Sequence, residues 1–141
     1  MRALIQRVSR ASVRVGEETV ASIGPGLLVL LGVTHVDTEA DARRLAEKVR
    51  ALRVFADSEG HLNENLGDRG LLCVSQFTLY ADARRGNRPS LAAAAPAERA
   101  RVLYEHFCEA SGALTGVFGA SMEVELVNDG PVTVMLDTAS L

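Results

Sequence analysis

Leu27-Leu28-Val29-Leu30-Leu31-Gly32-Val33 is the longest apolar run in this chain of 141 residues. It falls far short of the roughly 18 residues that a membrane-spanning helix needs. Its uninterrupted apolar pattern predicts instead a β-strand that is buried on both faces. Gly24-Pro25-Gly26 stands directly before the run, and these turn-forming residues predict that the strand begins there.

The segments on either side of this strand predict further strands and one helix. Residues 2–15 and 19–23 alternate loosely between apolar and polar side chains, as half-buried strands do. On the other side, residues 38–41 resemble a capping box, and apolar side chains recur at helical spacing over residues 42–52. We therefore predict a first helix over that stretch.

The rest of the chain predicts a second core strand, a second helix and two closing strands. A short strand at 54–56 comes first, followed by a strand at 71–79, a helix that opens at Pro96 and ends near Gly112, and strands at 121–126 and 132–136. Two helices among about seven strands at irregular spacing are typical of a layered α/β or α+β domain, not of a run of βαβ units. No linker or repeat divides the sequence, so we predict a single domain over residues 1–141.

The composition excludes several classes of protein. An apolar fraction of 48% excludes a wholly disordered chain, and two cysteines are too few for a disulfide scaffold. The net charge of −3 argues against a nucleic-acid-binding surface over the whole protein, but it is compatible with a local basic patch. Gln6 and Arg7 interrupt the N-terminal segment before the apolar region of a signal peptide develops. We expect a cytoplasmic protein without a membrane span.

The common catalytic and metal-binding motifs are absent from the sequence. It contains no Gly-x-Ser-x-Gly, His-Glu-x-x-His, Cys-x-x-Cys or Walker motif. His35 and Asp37 could in principle share a metal, but a metal site needs three or four converging ligands, so we predict no metal and no cofactor. Cys73 lies in an apolar strand without a cationic neighbour, which predicts a buried and unreactive thiol.

Two short segments depart from the pattern of an ordinary strand. Ser75-Gln76-Phe77-Thr78 places polar side chains at the end of a core strand, where they either bond neighbouring backbone or line a site. Gly130-Pro131 places a proline, which cannot donate to a sheet, inside a strand-like stretch. Its peptide bond is either trans, as in most X-Pro turns, or a cis bond positioned for function. The residues alone leave both alternatives open.

The sequence resembles the D-aminoacyl-tRNA deacylases, which remove D-amino acids from mischarged tRNA. The resemblance is carried by two paired stretches, Val74-Ser75-Gln76-Phe77-Thr78-Leu79-Tyr80 and Asn128-Asp129-Gly130-Pro131-Val132-Thr133. Further similar stretches are spread along the chain: Met1-Arg2-Ala3, Gln6-Arg7-Val8, Ile23-Gly24-Pro25-Gly26-Leu27, Gly86-Asn87-Arg88-Pro89-Ser90, and Phe118-Gly119-Ala120 with Met122. The resemblance therefore covers the whole sequence.

This resemblance implies a fold and the composition of an active site. The implied fold is a three-layer β/β/α sandwich with two main helices, and the implied assembly is a homodimer with the active site at its interface. Ser75-Gln76-Phe77-Thr78 is expected to line a pocket for the aminoacylated 3′-adenosine of tRNA. Gly130-Pro131 is expected to enter that pocket from the other subunit as a cis peptide. Arg7 would bond the carbonyls of the dipeptide, and Asn128-Asp129 would shape its turn.

The implied reaction is hydrolysis of the ester bond between a D-amino acid and tRNA, with L-aminoacyl-tRNA rejected. The two esters differ only in where the side chain and the hydrogen sit around the α-carbon. A rigid backbone wall against that carbon would clash with every L side chain, whatever its identity. Glycine has no side chain to clash, so mischarged glycyl-tRNA is a further expected substrate.

The attacking group remains open between two routes. Thr78 could attack as a hydroxyl nucleophile and form an acyl-threonine. No histidine or carboxylate stands near Thr78 in the sequence to activate it. We therefore favour a water molecule positioned by the ribose 2′-hydroxyl, with the backbone N–H groups of Phe77 and Thr78 binding the oxyanion.

A short basic segment follows the predicted site strand. Arg84, Arg85 and Arg88 outnumber the single acidic residue of the segment 82–88, which leaves a local charge of +2. We expect phosphate contacts with tRNA there. Met122 is expected either to pack against the terminal adenine or to belong to the core.

Two other functions remain as alternatives at this point. The first is a non-catalytic RNA- or DNA-binding module on the same fold, since a fold does not fix a function. The second is a metal-dependent hydrolase, which the scattered histidines disfavour. An assay of D-aminoacyl-tRNA hydrolysis distinguishes the first, and a chelator distinguishes the second.

Overall fold

The computed structural model describes residues 1–141 and contains eight strands, two α-helices and two short 3-10 helices. The strands are β1 (Arg2–Val15), β2 (Glu18–Ile23), β3 (Gly26–Gly32), β4 (Phe55–Ala56), β5 (Leu62–Glu64), β6 (Gly70–Ser75), β7 (Leu114–Thr115) and β8 (Glu123–Asp137). The helices are α1 (Glu39–Ala51) and α2 (Ala97–Ser111), and the 3-10 helices span Phe77–Tyr80 and Thr138–Ser140.

Six of the strands form one curved sheet with β1 near its centre. β8 pairs antiparallel along one edge of β1, and β2 and β3 pair antiparallel with successive halves of the other edge. β3 pairs in parallel with β6, and β6 pairs in parallel with β7. Because β2 also contacts β6 and β7, the sheet curls into a near-barrel. The predicted mixed α/β class is confirmed.

The central strand β3 separates two apolar cores. Leu27, Val29 and Leu31 belong to a cluster of 22 buried residues that both helices help to form. Leu28 belongs to a second cluster, of seven buried residues, on the side of the sheet away from the helices. Successive side chains of a strand point to opposite faces. The prediction that this strand is buried on both faces is therefore confirmed.

Residues at the ends of the two helices set the helix boundaries. The predicted capping box of α1 is present, because the Thr38 side chain accepts from the Asp41 backbone and the Asp41 side chain accepts from the Thr38 backbone. Pro96 was predicted to be the first residue of α2, but its ψ of 148° makes it the N-cap. Gly112 ends α2 in the left-handed conformation, with a φ of 73°. Neither helix has the length and apolar character to cross a membrane.

The strand predicted over residues 71–79 is wrong in its second half. β6 ends at Ser75, and residues 77–80 form a 3-10 helix. The Gln76 N–H still donates to the Leu31 carbonyl, at 2.8 Å, before the chain turns. The turn packs onto the end of β3 because Gly32 leaves room for it: a Cβ at Gly32 would lie 3.1 Å from the Leu79 Cβ.

The two predicted closing strands are one continuous strand, β8. Between Gln6 and Val8 of β1, the single residue Arg7 stands opposite the four residues 129–132 of β8. The Asn128 side-chain amide spans this bulge, because it donates to the Arg7 carbonyl at 3.0 Å and to the Val132 carbonyl at 3.1 Å. β8 therefore continues past the bulge instead of turning away from β1.

Candidate active site

An apolar cavity of about 330 Å³ opens at the C-terminal end of β6. Its lining comes from the ends of β3 and β6, the region around the start of α2, and residues 118–122, and nine of its eleven residues are hydrophobic. Ser75 contributes the hydroxyl of the lining. Ala95, Ala97 and Ala100 leave the space that larger side chains would fill. A cavity of this volume fits a small organic ligand such as a nucleoside.

Phe77 and Met122 contribute two of the larger side chains of this cavity. Phe77 is 53% exposed although it is a large aromatic residue, so its ring remains available to a ligand at the mouth of the cavity. Met122 lines the same cavity and is half-buried. Its sulfur also packs against Gly116, where a Cβ would lie only 2.7 Å from it. Met122 thus belongs both to the cavity and to the packing around it.

Gln76 and Thr78 lie beside the cavity and bond to each other. The Gln76 side-chain amide donates to the Thr78 hydroxyl oxygen, and the Thr78 side chain is exposed. No histidine or carboxylate forms a hydrogen bond with this hydroxyl. An amide cannot accept the proton of a hydroxyl as a base does, so nothing in the chain activates Thr78.

Arg2 anchors the 3-10 helix that carries Phe77 and Thr78. Its guanidinium donates to the Leu79 carbonyl at 2.9 Å and to the Asp137 carboxylate at 3.1 Å. The same group lies 4.5 Å from the centroid of the Tyr80 ring. Burial, together with nearby carboxylates, raises the pKa of Tyr80 well above its ordinary value, so the phenol stays neutral. No local pattern in the sequence indicates this role of Arg2.

Gly130-Pro131 lies in the bulge of β8, and both residues are exposed. Its peptide bond is cis and not trans. Gly130 has a φ of 128°, in the region that favours glycine.

Arg7 holds the bulge, but not through the dipeptide itself. Its Nε donates to the Asp129 carbonyl at 3.1 Å and lies 3.5 Å from the Asp129 carboxylate. Its Nη1 donates to the Val54 carbonyl at 2.8 Å. The expected hydrogen bonds from Arg7 to the carbonyls of Gly130 and Pro131 are not formed, because the guanidinium is held between Asp129 and Val54.

The bulge and the cavity are far apart within one chain. Ser75 pairs with Leu31, and Leu31 pairs with Ala3 of β1, whereas the bulge stands opposite Arg7. Four residues along β1 correspond to about 13 Å, and three strand spacings correspond to about 14 Å. Over the surface of the sheet, the dipeptide therefore lies roughly 20 Å from Ser75. Neither Gly130 nor Pro131 lines the cavity of its own chain.

The basic segment after the 3-10 helix has two free arginines and one paired arginine. Arg84 binds the Asp82 carboxylate through two nitrogens, at 2.9 and 2.6 Å. These hydrogen bonds lower the pKa of Asp82 to about 2, so the pair is charged at neutral pH. Arg85 and Arg88 are exposed and form no ion pair. The local charge of +2 therefore resides on these two side chains.

His35, Asp37 and Cys73, which the sequence offered for metal or thiol chemistry, are either hydrogen-bonded to other parts of the chain or buried. The His35 ring lies 2.7 Å from the Ala92 carbonyl, and Asp37 accepts from the Met1 ammonium group at 2.6 Å. No three His, Cys, Asp or Glu residues come together as metal ligands. Cys73 is buried, as predicted, and its burial raises the pKa of the thiol well above its ordinary value.

Comparison with known sequences assigns the chain to a family. A sequence model of the family described as D-Tyr-tRNA(Tyr) deacylase matches residues 4–137. The D-aminoacyl-tRNA deacylase of Roseiflexus sp. (strain RS-1) is 58% identical, over 99% of this chain and 94% of the relative. That of Shouchella clausii (strain KSM-K16) is 51% identical, over 98% of this chain and 99% of the relative.

Solved structures share the fold. A protein described as c-Myc DNA Unwinding Element Binding Protein has a TM-score of 0.91 at 41% identity, with 97% of this chain and 98% of that chain covered. A probable eukaryotic D-amino acid tRNA deacylase has a TM-score of 0.81, with 96% and 97% covered. The second match shows the fold alone, because its sequence identity is 16%.

The curved α/β fold, the cavity and the sequence relatives together define a hydrolase that acts on aminoacylated tRNA. Within that class, the chain belongs to the D-Tyr-tRNA(Tyr) deacylase family. Its activity is D-aminoacyl-tRNA deacylation, as the resemblance implied. The predicted family and enzyme class are confirmed.

Proposed function

We propose that the cavity beside β6 binds the 3′-terminal adenosine of D-aminoacyl-tRNA and that the ester is hydrolysed next to Thr78. The observation that carries this proposal is a cavity of about 330 Å³ with apolar walls, and with Ser75 and an exposed Phe77 in its lining. Apolar and aromatic walls suit a nucleobase, which binds largely by stacking and contact. Met122 would then touch the adenine.

The hydrolysis would use a water molecule and a hydroxyl of the substrate. The water oxygen attacks the ester carbonyl carbon, and the bond from that carbon to the ribose 3′-oxygen breaks. The proton of the water passes through the ribose 2′-hydroxyl to the leaving 3′-oxygen. This route is supported by Thr78, which has no base to activate it. The N–H groups of Phe77 and Thr78 open a 3-10 helix and have no acceptor within it, so they can bind the oxyanion.

The wall that rejects L-aminoacyl-tRNA would be Gly130-Pro131 of a second subunit. Two observations support this proposal. The dipeptide is exposed and lies roughly 20 Å over the sheet from the cavity of its own chain. β8 pairs only with β1, and its exposed apolar residues Val127 and Met135 suit a contact with another chain. We therefore propose a homodimer of single-domain subunits, residues 1–141, each a three-layer β/β/α sandwich.

A wall of this kind would discriminate by the geometry of the α-carbon and not by the side chain. The proposed substrates are accordingly tRNAs that carry many different D-amino acids. Glycyl-tRNA would also be accepted, because glycine has no side chain to meet the wall. Charged tRNA is a cytoplasmic substrate, so we propose a cytoplasmic role in the quality control of translation.

Phosphates of the tRNA would contact the basic segment after the 3-10 helix. Arg85 and Arg88 are exposed and unpaired, whereas Arg84 is neutralised by Asp82. Contacts of this type add affinity without reading sequence. This matches an enzyme that must act on many different tRNAs.

Binding of DNA without catalysis is the second candidate function. One observation favours it: the structural relative at 41% identity is described as a DNA unwinding element binding protein. The same two arginines could contact DNA phosphates. The relatives at 51% and 58% identity are deacylases over nearly their whole length, so the hydrolase is the better supported function.

Deacylation of matched D- and L-tyrosyl-tRNA tests the proposal. We expect hydrolysis of the D-ester alone, because only the L side chain meets the wall. Phe77→Ala should slow the reaction by weakening the binding of the adenosine. Leu62→Ala serves as the control, since Leu62 is 54% exposed and lies outside the cavity. Equal hydrolysis of both esters would contradict the chiral wall, and hydrolysis of neither would favour the second candidate.

A further inference from the structure

Arg101 lies next to the cavity but has no part in the site described above. Its guanidinium carbon is 5.1 Å from the centroid of the Phe118 ring, and Phe118 lines the cavity. The arginines that form ion pairs with carboxylates do not include Arg101. Its side chain is exposed. Arg101 therefore presents a positive charge without an ion-pair partner at the edge of an apolar cavity.

A second depression lies beside this charge. It has a volume of about 350 Å³ and is lined by Ala97, Glu98 and Arg101. Ala97 also lines the apolar cavity, so the two linings have this residue in common. Ala97 and Arg101 are four residues apart on α2 and lie about one helical turn from each other. That distance is comparable to the separation of base and 5′-phosphate within one nucleotide.

We propose that Arg101 binds the 5′-phosphate of the nucleotide whose base occupies the apolar cavity. The proposal rests on the proposed function, because it takes that nucleotide to be the terminal adenosine of tRNA. A guanidinium stacked on an aromatic ring keeps its N–H donors at its edge, where they can bind two phosphate oxygens. Phe118 thus contacts the base on one side and orients the phosphate-binding group on another.

Glu98 lines the same depression and would oppose the phosphate. Its carboxylate forms no ion pair that would cancel its charge, and like charges at short distance repel. The subsite therefore combines one attractive and one repulsive side chain. Variants that remove one of the two charges should therefore have opposite effects. Loss of the Arg101 charge should weaken phosphate binding, and loss of the Glu98 charge should strengthen it.

The test compares the binding of adenosine 5′-monophosphate and adenosine to the full chain by calorimetry. We expect the wild type to bind the monophosphate about tenfold more tightly than adenosine, as one charge-assisted pair would give. Arg101→Gln should remove this preference without changing the affinity for adenosine. Glu98→Gln should increase the preference. Arg43→Gln, on the exposed face of α1, should leave both affinities unchanged.

Two results would overturn the proposal. One is equal or undetectable binding of both compounds by the wild type at millimolar concentration. The other is a parallel loss of both affinities in Arg101→Gln, which would mean that Arg101 only supports the Phe118 ring. Arg101→Lys keeps the charge without the stacked plane and should retain part of the preference. Because this measurement does not depend on hydrolysis, a wild type that deacylates D-tyrosyl-tRNA but binds both compounds equally contradicts this proposal alone.

Discussion

Thr78 presents an exposed hydroxyl beside the cavity, but none of the chain's own groups can take its proton. The Gln76 amide donates to the hydroxyl oxygen and so orients it without making it more nucleophilic. An unassisted threonine is a poor nucleophile at neutral pH. The residue is better suited to hold water or the ester in place than to form a covalent intermediate.

Thr78→Ala should therefore retain much of the activity. We expect a loss of about tenfold in the single-turnover rate on D-tyrosyl-tRNA, because positioning and oxyanion binding by the backbone remain. Gln76→Ala is the matched control, since it leaves the hydroxyl but removes its partner. A fall to the uncatalysed rate, or an acyl group trapped on Thr78, would establish the covalent route instead.

Asp82 limits the charge that the basic segment can offer to tRNA. Arg84 lowers the pKa of Asp82 to about 2. The ion pair between the two side chains therefore breaks only when the pH falls through that value and the carboxylate is protonated. Asp82→Asn frees Arg84 at neutral pH and should tighten tRNA binding, with a steeper dependence on salt concentration.

Arg85→Gln is the control for this prediction and should change the salt dependence in the opposite direction. Both slopes can be measured by filter binding between 50 and 200 mM salt, roughly the range over which such effects are large. An unchanged slope in Asp82→Asn would mean that Arg84 does not face the tRNA.

At the scale of single elements, the 3-10 helix at residues 77–80 could not be predicted from the sequence, although the site that it carries could. The polar pattern of Ser75-Gln76-Phe77-Thr78 was sufficient to mark a candidate site, because polar side chains interrupt an apolar strand there. The turn that forms the site depends on contacts with distant residues. Gly32 leaves room for the turn, and Arg2 binds the Leu79 carbonyl. Neither contact has a local signature in the sequence.

Another element-level contact ties the start of β1 to the connection between β3 and α1. The Met1 ammonium group donates to Asp37 and to the Thr138 hydroxyl, both at 2.6 Å. Asp37 is 3% exposed and also accepts from the Thr34 backbone at 2.7 Å. A charge buried in this way is costly unless its partner is present.

Asp37→Asn should lower the free energy of unfolding by about 3 kcal/mol, because it leaves the buried ammonium group without an opposite charge. Urea denaturation of protein with Met1 as its first residue measures this. Asp68→Asn is the control, since Asp68 is exposed and forms no ion pair. A change within about 0.5 kcal/mol, as for ordinary surface substitutions, would contradict the role of the pair.

At the scale of the whole molecule, the register of the sheet keeps Gly130-Pro131 away from the cavity of its own chain. The resemblance assigned the two to one site shared between subunits. Local patterns predicted the buried strand β3, the capping box of α1 and the mixed α/β class. They did not predict β5 and β7, which are too short to show a period. They also could not show that Arg101 adjoins the cavity, because α2 and Phe118 meet only in the folded chain.

The central claim is that the cavity of one subunit is completed by the dipeptide of the other. It can be tested with two variants of low activity. Phe77→Ala damages the cavity, and Gly130→Ala damages the dipeptide, because a Cβ there would lie 2.9 Å from Arg7 Nη2 and from the Val132 nitrogen. Each homodimer should have little activity. Far-ultraviolet circular dichroism and sedimentation check that each variant is folded and dimeric.

The decisive measurement is the deacylation of D-tyrosyl-tRNA after the two variants are mixed in equal amounts and allowed to exchange subunits. A site shared between subunits predicts recovery to about a quarter of wild-type activity, since half of the dimers are mixed and each has one intact site of two. A site contained within one chain leaves every site with one defect. Activity that stays at the level of the separate variants, with exchange demonstrated, would contradict the account.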